Sequence, residues 1–184
     1  MIRAAFVALL LLGGGDAPLY NAQSELLFPE HYREWVFLSS GLGMTYGPSA
    51  PHAGEDPRFD NVFVNPTSWR AFKETGRWPD KTTFVLEIRE SESKGSINQG
   101  GHYQSGVVAI EVEVKDESRP ETWAYYDFGG GKRPLKSATS SLGPKSRCTA
   151  CHSTNGAVES SFVQFYPMAL ETARIKGTLK PEAR

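Results

Sequence analysis

The chain has 184 residues but only two cysteines, four histidines and three methionines, so groups able to bind a soft metal or form a thioether are few. It also lacks any charge imbalance, because 20 Lys and Arg stand against 21 Asp and Glu for a formal net charge of -1. That balance excludes nucleic-acid binding by phosphate neutralisation, which needs an excess of basic residues. No run of like charges marks a membrane-surface patch or an acidic tail. There is no G-x-S-x-G elbow, phosphate-binding glycine loop or H-E-x-x-H pair, so hydrolase, nucleotide and zincin chemistry have no footing. Nor is there an apolar run of the roughly 20 residues needed to span a bilayer.

The longest apolar run, residues 4–12, stands at the start of the chain behind Arg3 and before the small residues from Gly13 to Ala17. A positive n-region, a short apolar core and small residues form an export signal, expected over residues 1–22. Gly15-Asp16-Ala17 offers a small-x-small cut followed by an unfavourable Pro18, and a cut nearer Ala22 is the other choice. The mature chain, residues 23–184, would then be periplasmic or otherwise exported, with no membrane span. Its size and 39% hydrophobic content suit one globular domain, and eighteen Gly and twelve Pro promise many turns.

Two cysteines in an exported chain would ordinarily pair as a disulfide. Their spacing points elsewhere. Cys148-Thr149-Ala150-Cys151-His152 is the C-x-x-C-H haem-attachment pattern. Thiols three residues apart on a helical turn lie about 5–6 Å from each other on one face. They can add to the two vinyl groups on one haem edge while the adjacent His152 ligates iron. The expected cofactor is therefore one covalent haem c. A thioredoxin-type redox pair would require a βαβ setting, which is missing around the Pro/Gly/Ser-rich loop at residues 131–144. Structural zinc would need remote His31, His52 or His102 to complete four ligands. A chance surface motif would leave free thiols in an oxidising space.

Residues 29–36 are expected to form a short helix with Tyr32, Trp35 and Val36 on its apolar face, followed by a long irregular stretch over residues 39–60. Residues 62–64 predict a brief strand, and residues 65–76 a helix opened at Pro66 or Thr67, closed by Gly76, with Trp69 and Phe72 inward. Phe84, Leu86 and Ile88 alternate within residues 82–89, and a polar loop fills residues 91–105. Val108, Ile110, Val112 and Val114 alternate with Ala109, Glu111, Glu113 and Lys115, the pattern of a half-buried strand. Residues 122–128 predict an aromatic strand, and a last helix opens at Pro167 with Met168, Leu170 and Ala173 as its apolar residues. Successive strands joined by turns predict an α+β domain, an antiparallel meander with a few packed helices.

Several segments in order resemble the cytochrome P-460 and cytochrome c′-beta family of bacterial mono-haem proteins. They are Phe28-Pro29-Glu30-His31-Tyr32-Arg33-Glu34-Trp35-Val36, Val64-Asn65-Pro66-Thr67-Ser68-Trp69, Lys73-Glu74-Thr75-Gly76, Thr122-Trp123-Ala124-Tyr125-Tyr126, Cys151-His152-Ser153-Thr154-Asn155 and Phe162-Val163-Gln164-Phe165-Tyr166-Pro167. The resemblance implies a sheet-rich fold, a periplasmic homodimer and covalent haem with His152 as proximal ligand. Some relatives oxidise hydroxylamine or related nitrogen oxides on a haem cross-linked to lysine. Others carry an ordinary c-type haem that binds small gases. The cross-linking lysine falls in a strand resembling Val-Lys-Glu-Leu; here that stretch is Val85-Leu86-Glu87-Ile88, and Leu86 cannot make the bond. Lys81 and Lys94 flank it.

The state of the sixth iron position decides between electron transfer and gas chemistry. Met44, in Gly41-Leu42-Gly43-Met44-Thr45-Tyr46-Gly47, is the sharpest candidate, because a thioether suits iron in electron carriers. His52 and His102 lie in loops and are expected to be solvated, as is His31. Phe63, Phe84, Tyr103, Tyr125 and Phe128 could wall a haem, and Asp127 and Glu121 lie near the stretch where enzymatic relatives place a distal carboxylate. The expectation is an exported mono-haem c-type cytochrome serving a redox partner protein or a gas such as nitric oxide. A hydroxylamine- or nitric-oxide-oxidising enzyme is the first alternative, and a haem-free zinc or interaction protein the second.

Overall fold

Strand-forming residues dominate the middle of the chain, and a computed structural model describing residues 15–45 and 56–183 places them in one antiparallel sheet. In chain order the elements are β1 (Leu26–Leu27), β2 (Val36–Leu42), β3 (Phe59–Val64), α1 (Pro66–Thr75), β4 (Thr83–Glu92), β5 (Tyr103–Lys115), β6 (Trp123–Asp127), β7 (Ala138–Thr139), α2 (Arg147–Asn155) and α3 (Pro167–Lys176). Strands β2 to β6 pair as neighbours in sequence order, and β1 pairs with β7 beside them. The architecture is α+β, an antiparallel meander carrying helices, as the alternating patterns predict.

Helix α1 follows its sequence signals closely. Pro66 takes the first turn, where its missing N–H costs nothing, and Gly76 ends the helix in the left-handed region at φ 72°. Trp69 and Phe72 are buried, and Phe72 stacks with both Trp69 and Trp78.

Four expectations are corrected. Residues 29–36 do not form a helix: a single 3-10 turn, Tyr32–Glu34, ends at an extended Trp35, and Val36 opens β2. Pairing of Val36 with Val64 captures that residue for the sheet before a second helical turn can close. The stretch 39–60 is not irregular throughout, because β2 runs to Leu42 and pairs there with Phe59. Strand β5 is buried on both faces, not one. Ile110, Val112 and Val114 face a layer built from the N-terminal segment, while Ala109, Glu113 and Lys115 are also buried, on the side covered by helices. Finally, Met168 is 53% exposed. Helix α3 packs through the small Ala169 and Ala173, one step around the helix, with Leu170 beside them.

The sheet thus separates two layers. One holds Leu26, Tyr32, Val85, Ile110 and Phe128; the other holds Trp69, Trp78, Phe84, Trp123 and Tyr125 with α1 and α3. Predicted residues 1–14 of the export signal, and His52, lie outside the described residues. No helix among the described residues is long and apolar enough to cross a membrane.

Candidate functional site

Helix α2 is short and polar, and it begins where Ser146 caps it: the Ser146 Oγ accepts a hydrogen bond from the Thr149 N–H at 3.2 Å. Cys148, Cys151 and His152 stand at positions i, i+3 and i+4, so the helical repeat puts all three on one face. That face closes a cavity of about 340 Å³ against the sheet, within the roughly 300–1,000 Å³ usual for small-molecule sites. The opposite wall comes from β3 to β6 and includes Val62, Phe84, Leu86 and Tyr125. Phe162, Phe165 and Tyr166 close the side next to α2.

The His152 ring is wedged between Tyr125 and Phe162, with centroids 4.7 Å and 4.3 Å away. Its Nδ1 lies 2.9 Å from the Ser160 carbonyl oxygen and 2.7 Å from Glu113 Oε2. Acceptors on that side require Nδ1 to carry the proton, which leaves the lone pair on Nε2. Burial pulls the His152 pKa down, but the charge and contact of Glu113 and the Ser160 carbonyl outweigh it and raise the value. Burial, with the nearby charge of Glu111, pushes the Cys148 thiol above its ordinary pKa. The two cysteines are not joined to each other.

Met44 also lines this cavity, packed so closely over Gly41 that a Cβ there would meet the Met44 sulfur at 2.4 Å. The irregular loop and the attachment motif, far apart in sequence, are therefore brought together. So are Asp60 and Glu111, which the sequence did not single out. Burial and the Glu111 charge raise the Asp60 carboxyl to about 6, against a partial offset from Arg58. Burial and Asp127 raise Glu111 too, partly opposed by His152 and Arg133. For Glu111 the only sequence signal was the i, i+2 alternation of β5, read there as a solvent face, and Asp60 fell in the stretch read as irregular.

Other candidates lie elsewhere. Of the five aromatics proposed as walls, Phe84 and Tyr125 line the cavity; Phe63 and Phe128 pack in the opposite layer, and Tyr103 is 42% exposed. Asp127 is engaged by Arg133 and the Gly129 N–H, and Glu121 is exposed. His31 pairs with Glu34 at the surface, and His102 faces Ser91 and Asp56, so neither approaches the cysteines. No group of three or more His, Cys, Asp or Glu able to hold a metal ion occurs among the described residues, and the zinc reading finds no support there. Leu86 lies on the cavity wall, whereas Lys81 pairs with Asp116, and no lysine lines the cavity among the described residues.

Two thiols, one imidazole with a free Nε2 and a largely apolar chamber suit a haem held by α2. The chain matches the Cytochrome P460 family over residues 29–163, and no curated protein matches it. The chain belongs to the Cytochrome P460 family and is a haem cytochrome.

Proposed function

We propose that this family member is an exported c-type cytochrome with a single haem, carrying electrons or binding a small gas such as nitric oxide. Cys148 and Cys151 would hold the haem by thioethers and His152 would ligate iron through Nε2. The observation that carries this reading is the arrangement of α2. Both thiols and the imidazole share one face at the wall of an apolar cavity, with Nδ1 already engaged. A bound haem supplies a one-electron iron couple and a sixth coordination position.

The chain's own residues set what that position does. Met44 reaches the same cavity from the β2–β3 connection and is the proposed sixth-site residue. Leu86 on the wall, where oxidising relatives carry lysine, favours a haem without that cross-link. Export rests on the apolar run at residues 4–12. Tyr20 packs into the N-terminal layer, and the Leu27 N–H donates to the Leu19 carbonyl, which supports a signal cut before residue 19. The chain would work with a redox partner protein, as a homodimer.

A second reading, oxidation of hydroxylamine or nitric oxide, is favoured by one feature. Such oxidations release protons, and Asp60, titrating near 6, is placed to accept them. Spectra of the reduced protein with and without carbon monoxide test the sixth position. An unchanged wild-type spectrum that becomes responsive in Met44→Ala supports ligation by Met44. A lysine found joined to haem after proteolysis and mass analysis overturns the first reading in favour of the second.

A further inference from the structure

Two acceptors converge on the one Nδ1–H of His152, and each is fixed from a different part of the fold. The Ser160 carbonyl sits in a tight turn closed by Ser161, whose N–H and Oγ both donate to the Val158 carbonyl, at 3.0 Å and 2.7 Å. Trp78 Nε1 donates to the same Ser161 Oγ at 2.8 Å. The turn presses so closely on the end of α2 that a Cβ at Gly156 would fall 2.6 Å from the Ser160 carbonyl carbon. Glycine at 156 is what admits the approach.

Glu113 arrives from the middle of the sheet, between Phe84 on β4 and Tyr125 on β6. It is 8% exposed, and its Oε2 has no hydrogen bond of its own among the described residues although it lies 2.7 Å from His152 Nδ1. A buried carboxylate oxygen whose one near N–H is shared with a second acceptor is unfavourable for folding, so its retention needs another reason. Carboxylates beside the second nitrogen of a ligating histidine orient the ring and make it a stronger base. A stronger axial donor favours ferric over ferrous iron.

We propose that Glu113 is a positioning residue for His152, holding the imidazole with Nε2 toward the cavity and lowering the reduction potential of the iron that His152 ligates. The inference rests on the reading of His152 as iron ligand. Glu111, two residues along β5, supplies the control: it acts on His152 by charge alone, without contact.

The test uses the full haem-loaded chain, with haem retention on a denaturing gel, the midpoint potential and, read in a Met44→Ala background whose ferrous iron is five-coordinate, the iron–histidine stretching band of the resonance Raman spectrum as readouts. Glu113→Gln should retain haem and shift the ferrous-to-ferric ratio at fixed potential at least tenfold, about 59 mV upward for a one-electron couple. The stretching band should move to lower frequency. Glu113→Asp should fall between it and wild type, and decides the matter by the same readouts if Glu113→Gln does not fold. Glu111→Gln should shift the potential less and leave the band in place. A haem-loaded Glu113→Gln with unchanged potential and band overturns the inference, as does a Glu111→Gln variant that moves the band equally. Wild-type protein without covalent haem overturns the functional reading instead.

Discussion

Glu87 and Asp60 lie on opposite faces of the same sheet, and their surroundings treat a carboxylate in opposite ways. Glu87 is 3% exposed and accepts hydrogen bonds from Tyr32, Arg33, Arg89 and Asn61. Burial pushes its pKa up, but those donors outweigh burial and hold it below the ordinary carboxylate value. On the cavity face burial raises both Asp60 and Glu111, the Glu111 charge adding to the first and the Asp127 charge to the second, and Asp60 rises to about 6. One layer surrounds its buried carboxylate with donors. The other leaves acids, thiols and a histidine nitrogen turned toward a space, which is how a layer built around a guest differs from one built around itself.

The largest expected effect lies on the cavity face. Replacing Cys148 and Cys151 together by Ser should abolish covalent haem, seen as loss of haem stain on a denaturing gel. Next comes the satisfied face, where Glu87→Gln removes a charge from a buried network with two arginines and should cost about 2–4 kcal/mol in urea unfolding. Asp60→Asn should have the opposite sign. The Asp60 carboxyl titrates near 6 folded against 3.8 as its reference value, so the folded state binds its proton more tightly and loses stability as pH rises between those values. The Asn variant escapes that loss. It should match wild type below the reference value and exceed it by about 1–2 kcal/mol at neutral pH, after allowing for partial exposure. Glu87 works in the other direction, its contribution being present at neutral pH and lost as pH falls through its depressed pKa. The smallest effect is Met168→Gln, within about 0.5 kcal/mol by thermal unfolding, because that side chain is 53% exposed.

The two faces also differ in how far the sequence disclosed them. Pro66 and Gly76 announced α1, and the C-x-x-C-H run announced the attachment helix, because local rules of capping and helical spacing decide both. Glu111 and Glu113 were hidden by the same alternation that revealed β5. A period of two says which residues share a face, not whether a second layer covers it. Helix 29–36 failed because pairing with β3, remote in sequence, overrode a weak local pattern. Met168 failed because the contact surface of α3 is set by Ala169 and Ala173, whose small size lets the helix lie close to the core. Met44 joined the cavity through the β2–β3 connection, a placement that no spacing within the loop encodes.

The central claim is that α2 carries a covalently bound haem. It is tested most directly by intact-mass analysis of protein matured in a cell able to build c-type cytochromes. The account predicts one haem per chain retained after denaturation, with fragments placing it on the peptide holding Cys148 and Cys151. A colourless chain at its apoprotein mass, with both thiols free to react, would contradict it.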